Sequence, residues 1–99
     1  MKMDLQTVGF HATDDLVKYT TEKVEGLQKY YDQIVGAEVY LKLTNDEKGE
    51  TKIAEIKLNI PGNDIYADEQ SEKFEGSVNS ACDKLKKQIR KIKTKQSTY

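Results

Sequence analysis

Two segments of this chain alternate apolar and polar residues without a break. Ala37, Val39, Leu41 and Leu43 are interleaved with Glu38, Tyr40 and Lys42, and Ala54, Ile56, Leu58 and Ile60 with Glu55, Lys57 and Asn59. In an extended chain successive side chains point to opposite faces, so a period of two predicts strands with one apolar face and one polar face. A sheet buried on both sides would instead read as continuous apolar runs. The chain must therefore build a sheet covered on one side only, and it needs helices to cover it.

The remaining segments supply them. Met3, Leu5 and Thr7 alternate with Asp4 and Gln6, which predicts a first strand ending at Gly9. Thr13 is placed to cap a helix with Asp14 and Asp15 in its first turn, and Leu16, Thr20, Val24, Leu27 and Tyr31 recur at helical spacing, so this helix runs to about Tyr31. Gly36 reopens the chain into the second strand, and the polar stretch Thr44 to Lys52, with Gly49, reads as a hairpin loop. Pro61-Gly62-Asn63 has the chemistry of a tight turn before a short strand at Ile65 and Ala67. Phe74, Val78, Ala81, Cys82, Leu85, Ile89 and Ile92 then fall on one helical stripe about 100° wide.

The resulting order β-α-β-β-β-α predicts an α+β fold, a two-layer sandwich in which a four-stranded mixed sheet carries both helices on one face. That arrangement resembles double-stranded-RNA-binding folds, in which helices and loops touch RNA backbone while the sheet supports them. A likeness of fold does not by itself set function. Ninety-nine residues make one domain, which we place at 1–95 with a frayed end at 96–99. No apolar run is long enough for a signal peptide or a membrane span, and Cys82 is the single cysteine, so a soluble, cytoplasmic protein without an internal disulfide is expected. The position of Cys82 in the apolar stripe reads as a small buried hydrophobe.

The charges are segregated along the chain. Residues 1–83 hold nine Lys and no Arg against seventeen Asp and Glu, a net of −8, and residues 84–99 contribute +7, giving the chain's −1. On the helical wheel Lys84, Lys87, Lys91 and Lys95 occupy one flank of the apolar stripe and Lys86, Arg90 and Lys93 the other. A helix dipole is complemented by two or three cations in the last turn, whereas seven without counter-ions repel one another. The sequence therefore predicts an anion-binding face. In the first helix Lys18 with Glu22 and Glu25 with Lys29 are i,i+4 pairs, and Lys23, at the edge of the apolar stripe, is the cation placed to lean toward the second helix.

Reactive groups are sparse. His11 is the only histidine and has no partner at metal-ligand spacing; the acidic cluster Asp68, Glu69, Glu72 and Glu75 reads as complementing the start of the second helix rather than as a calcium loop. Phosphate-loop, dinucleotide and nucleophile-elbow motifs are absent. No catalytic residue, metal, cofactor or small-molecule substrate is expected. Tyr40 and Tyr66 on the polar strand faces could stack single-stranded RNA, but Asp4, Glu38, Glu55, Asp64 and Asp68 crowd the same side and repel phosphate. They read better as cross-strand packing residues.

The run Asp83-Lys84-Leu85-Lys86-Lys87-Gln88-Ile89-Arg90-Lys91-Ile92-Lys93, with Glu22-Lys23, Leu27 to Tyr31 and Ala54-Glu55-Ile56, carries a family likeness. The run is similar to the D-K-L-x-R-Q-L-x-K-x-K signature of the ribosome hibernation promoting factor family, also called the ribosome-associated inhibitor or sigma-54 modulation family, which the chain resembles. The chain departs from the family pattern at Gly26, at Lys73-Phe74-Glu75 and at Asn79. The resemblance, nearest to the short hibernation-promoting type, implies a factor that binds the small ribosomal subunit and its 16S rRNA in the groove of messenger and A- and P-site transfer RNA, silencing idle ribosomes and, in the hibernation branch, favouring ribosome dimers. On that view Lys23, Lys84, Lys87, Arg90, Lys91 and Lys93 contact phosphates. The alternative is a protein-interaction module whose basic helix docks an acidic protein partner.

Overall fold

In a computed structural model, which describes residues 1–96, the elements are β1 (Lys2–Val8), α1 (Asp14–Glu25), a short 3-10 helix (Gly26–Lys29), β2 (Gly36–Asp46), β3 (Gly49–Asn59), β4 (Ile65–Ser71) and α2 (Phe74–Gln96). One sheet runs in the order β1-β2-β3-β4, with β1 parallel to β2 and the other pairs antiparallel. The register aligns Leu5, Val39, Ile56 and Ala67 in one row and Met3, Ala37, Leu58 and Ile65 in the next. These rows join Leu16, Val24 and Leu27 from the first helical layer and Val78, Leu85 and Ile89 from α2 in a single core. The expected α+β sandwich is the observed one. Apart from the backbone of Gln96, the end expected to fray lies outside the described residues.

Local chemistry explains the element ends. Thr13 takes an extended conformation and its Oγ1 accepts from Leu16 N at 3.2 Å, capping α1. Gly9, at φ 85°, ends β1 where a Cβ would stand 2.6 Å from the Leu43 carbonyl oxygen, so the position admits only glycine. α2 is pinned at its start: Ser77 Oγ donates to Lys52 O at 2.7 Å, and the Phe74 ring stacks on Phe10 with centroids 4.4 Å apart.

Several boundaries differ from the periodicity. α1 stops at Glu25 rather than near Tyr31, because Gly26 is a poor helix former and the chain tightens into the 3-10 helix, which still buries Leu27. The stretch Thr44 to Lys52, expected as a loop, is mostly ladder, since Asp46 pairs with Gly49 and only Glu47 and Lys48 turn. There the Asp46 carboxylate accepts from Lys48 N at 2.9 Å. Backbone pairing needs no apolar side chain, and residues 44–50 are all exposed. β4 continues to Ser71 and absorbs Asp68 and Glu69, which leaves Glu75 as the acid in the first turn of α2.

Thr20 is fully buried on α1, and its Oγ1 has no hydrogen-bond partner. Leaving a hydroxyl desolvated and unpaired costs on the order of 1–3 kcal/mol, and Val fills nearly the same volume in a rotamer helices accept. Thr20→Val is therefore expected to raise the thermal midpoint by about 5 °C. A melt followed by circular dichroism checks this, and an unchanged or lower midpoint would show that the hydroxyl is satisfied.

The other face of the sheet is open. Lys42 meets Glu55 at 3.1 Å, Lys57 lies 3.9 Å from Glu38 and 3.6 Å from Asp64, and the Tyr66 hydroxyl donates to Asp68 at 3.1 Å. Tyr40 is half-buried and Tyr66 exposed among these groups. Topology then sorts the charges. Both helices start beside the hairpin end of the sheet, where β1 and β4 finish, and run away from it. Asp14, Asp15, Asp46, Glu47, Glu50 and Glu75 thus gather near one end of a molecule 51 Å long, while the cations of α2 lie toward the other.

Candidate nucleic-acid interface

α2 lays its apolar stripe on the sheet, with Phe74, Val78, Ala81, Cys82, Leu85 and Ile89 buried. Burial pushes the Cys82 thiol up to about 11, against the smaller opposing pull of Lys86 and Lys23, so at neutral pH it remains a thiol. With the stripe fixed, the cations of the helix from Lys84 to Lys93 each have a defined place on one of three strips of surface.

The strip beside β4 holds Lys84. Its ammonium meets Glu69 Oε1 at 2.7 Å and donates to the Asp68 carbonyl oxygen at 3.3 Å, and the hydrogen bond to Glu69 raises its pKa above the ordinary lysine value. One turn on, Gln88 donates to Tyr66 O at 2.8 Å. The expectation of a run without counter-ions is thus corrected at Lys84, and also at Lys86, which lies 3.9 Å from Asp83. The counter-ion of Lys84 comes from a strand, fifteen residues earlier in the chain, which helical spacing cannot reveal.

The middle strip is a ridge opposite the core. Lys87, Arg90 and Lys91 are all exposed there and make no ion pair among the described residues. The third strip faces α1. Lys93 donates to Tyr30 O at 2.9 Å and Lys86 Nζ lies 5.0 Å from the Tyr30 ring centroid. Lys23 is exposed at the same groove, with its Nζ 5.7 Å from the Tyr19 ring. Neither expected i,i+4 pair of the first helix forms an ion pair. Lys29 has left the α-helical register, and Lys18 and Glu22 are exposed, where pairing gains little.

Of the six residues singled out by sequence, Lys87, Arg90 and Lys91 form the ridge, Lys23 and Lys93 border the groove, and Lys84 sits apart on the β4 side. Periodicity overlooked Tyr30, Lys29 and Lys86 as groove residues; the available signal was that Tyr30 stands one residue off the apolar stripe that includes Tyr31. His11 is exposed. Among the described residues no three His, Cys, Asp or Glu side chains are grouped to hold a metal, and no helix is long and apolar enough to cross a membrane.

A four-stranded sheet backed by two helices, one of which turns an unpaired cationic ridge to solvent, defines a small α+β protein that presents a charged helix. The chain matches the Sigma 54 modulation protein / S30EA ribosomal protein family over residues 3–97 and belongs to that family. It is 34% identical over 84 residues to the ribosome hibernation promotion factor of Deinococcus radiodurans, covering 84% of this chain and 44% of that protein. It is 29% identical over 98 residues to the ribosome hibernation promoting factor of Pseudomonas putida, covering 99% and 92% respectively. The chain thus spans less than half the length of the first relative and most of the second.

Two solved structures share the fold. A ribosomal subunit interface protein from Coxiella burnetii superposes with a TM-score of 0.84 at 22% identity, covering 95% of this chain and 99% of that one. The N-terminal domain of Protein Y from Thermus thermophilus gives 0.79 at 24% identity, covering 93% and 99%. The resemblance first carried by residues 83–93 is therefore borne out at the level of family and fold.

Proposed function

We propose that this protein is a non-enzymatic ribosome hibernation factor whose domain, residues 1–95, binds the small ribosomal subunit through 16S rRNA at the decoding region and silences idle ribosomes in the cytoplasm. The observation that carries this reading is the ridge of Lys87, Arg90 and Lys91, exposed and without ion pairs among the described residues, in a chain whose relatives are named hibernation factors. Phosphate contacts of this kind need no base code, and a wedge of protein in the messenger and transfer-RNA path inhibits by occupying it. Lys93 and Lys23 extend the contact toward α1. Lys84 contributes less, because binding phosphate means sharing its ammonium with Glu69. The acidic far end orients the approach, since it is repelled by RNA.

Salt dependence tests the reading. With the three ridge contacts alone, affinity for purified small subunits is expected to fall at least roughly forty-fold between about 50 and about 200 mM salt, because each contact releases counter-ions. Co-sedimentation across that range measures it. A flat response, or capture of an acidic protein that persists after nuclease treatment, would favour the docking of a protein partner instead. The same gradients show whether paired ribosomes accumulate.

A further inference from the structure

Tyr30 is the exposed aromatic that the phosphate ridge does not explain. The residue is 48% exposed, while its neighbour Tyr31 is buried at 6%. Among the described residues the other strongly exposed aromatic, Tyr66, lies beside Asp68 and Glu55, whereas Tyr30 is set among cations. It forms one wall of a shallow groove between α1 and α2, lined also by Glu22, Lys23, Gly26, Lys29 and Lys86. No side chain fills the groove at Gly26, where a Cβ would meet nothing within 4 Å. Lys93, bonded to the Tyr30 carbonyl oxygen at 2.9 Å, holds the Tyr30 backbone against α2, so the ring stands on a fixed base.

We propose that this groove receives one unstacked RNA base, with Tyr30 as the stacking surface and Lys23, Lys29 and Lys86 holding the flanking phosphates. RNA-binding proteins read splayed nucleotides in this way, and an aromatic face framed by cations satisfies both halves of a nucleotide. The Lys86 ammonium lies 5.0 Å from the ring centroid, close enough to transfer to a phosphate when a base takes the ring face. Glu22 on the rim repels phosphate but accepts from an exocyclic amine, so adenine or cytosine suits the groove better than uracil. The inference rests on the rRNA reading above and adds to it a contact that selects single-stranded over paired RNA.

Stacking releases no counter-ions, which separates it from the ridge. Tyr30→Ala is expected to weaken small-subunit binding about ten-fold at every salt concentration with the salt slope unchanged, and Tyr30→Phe to bind like the parent. Tyr30→Ala within about two-fold of a parent that binds steeply overturns the groove and leaves the ribosome reading standing. If the parent does not sediment with subunits, the ribosome reading fails and the groove is judged alone. The chain has no tryptophan, so Tyr30→Trp supplies a single indole reporter. Saturable quenching of its emission by a short oligoadenylate supports the groove. No quenching, or equal quenching by adenosine monophosphate, overturns it as an RNA site.

Discussion

Lys87→Glu combined with Lys91→Glu is expected to abolish co-sedimentation with small ribosomal subunits at about 0.15 M salt, while the far-ultraviolet circular dichroism and the thermal midpoint stay those of the parent. Both lysines are exposed on the arc of α2 opposite the core and neither holds an ion pair among the described residues, so the fold does not depend on them. Each reversal removes an attraction to phosphate and adds a repulsion, and the pair together should lower affinity at least about a hundred-fold and make the salt slope shallower by about two. Parental co-sedimentation by this variant would remove the ridge from the interface. A shifted midpoint would instead show that the ridge supports the fold.

Leu85→Ala should have the opposite profile. Leu85 is fully buried between Lys84 and Lys86 in the same signature, and its side chain joins α2 to the sheet in the common core. Emptying that position forfeits transfer energy and leaves a cavity, a loss of about 3–4 kcal/mol. Domains of this size hold about 5–15 kcal/mol in total, so the urea midpoint should drop by a large fraction of its value. Equilibrium unfolding measures this, and a cost below about 1 kcal/mol would mean that α2 is only loosely seated on the sheet. With the lysine reversals, the result separates what the helix does for the fold from what it does for a partner.

Much of this architecture was legible because its signals are local. Period-two alternation in β2 and β3 and the stripe from Phe74 to Ile92 each encode an element and the face it buries. Legibility failed where backbone pairing outruns side-chain pattern. Thr44 to Lys52 carries no apolar alternation, yet its backbone continues the ladder to Asp46 and Gly49. It failed again where partners are distant in sequence. Glu69 neutralises Lys84 across a turn and a helix start, and Tyr30 becomes a groove wall only when α2 passes beside it. Spacing put five of the six expected contact cations on the polar arc of α2 and Lys23 at the edge of the first helix's apolar stripe. Their division into ridge, groove and β4 flank required the packed structure.

The contacts of Lys84 and Gln88 with the carbonyl oxygens of Asp68 and Tyr66 carry a consequence for solubility. An outermost strand offers its spare backbone groups to any extended chain that drifts past, and sheets grow into fibres by accepting such offers. On β4 two of those acceptors are already taken by side chains of α2, and a cation stands guard over them. At the opposite margin β1 is protected by its own exposed Lys2 and Asp4. The helix that carries the cationic ridge thus also covers one margin of the sheet, so an α2 that loosens would expose a sticky edge.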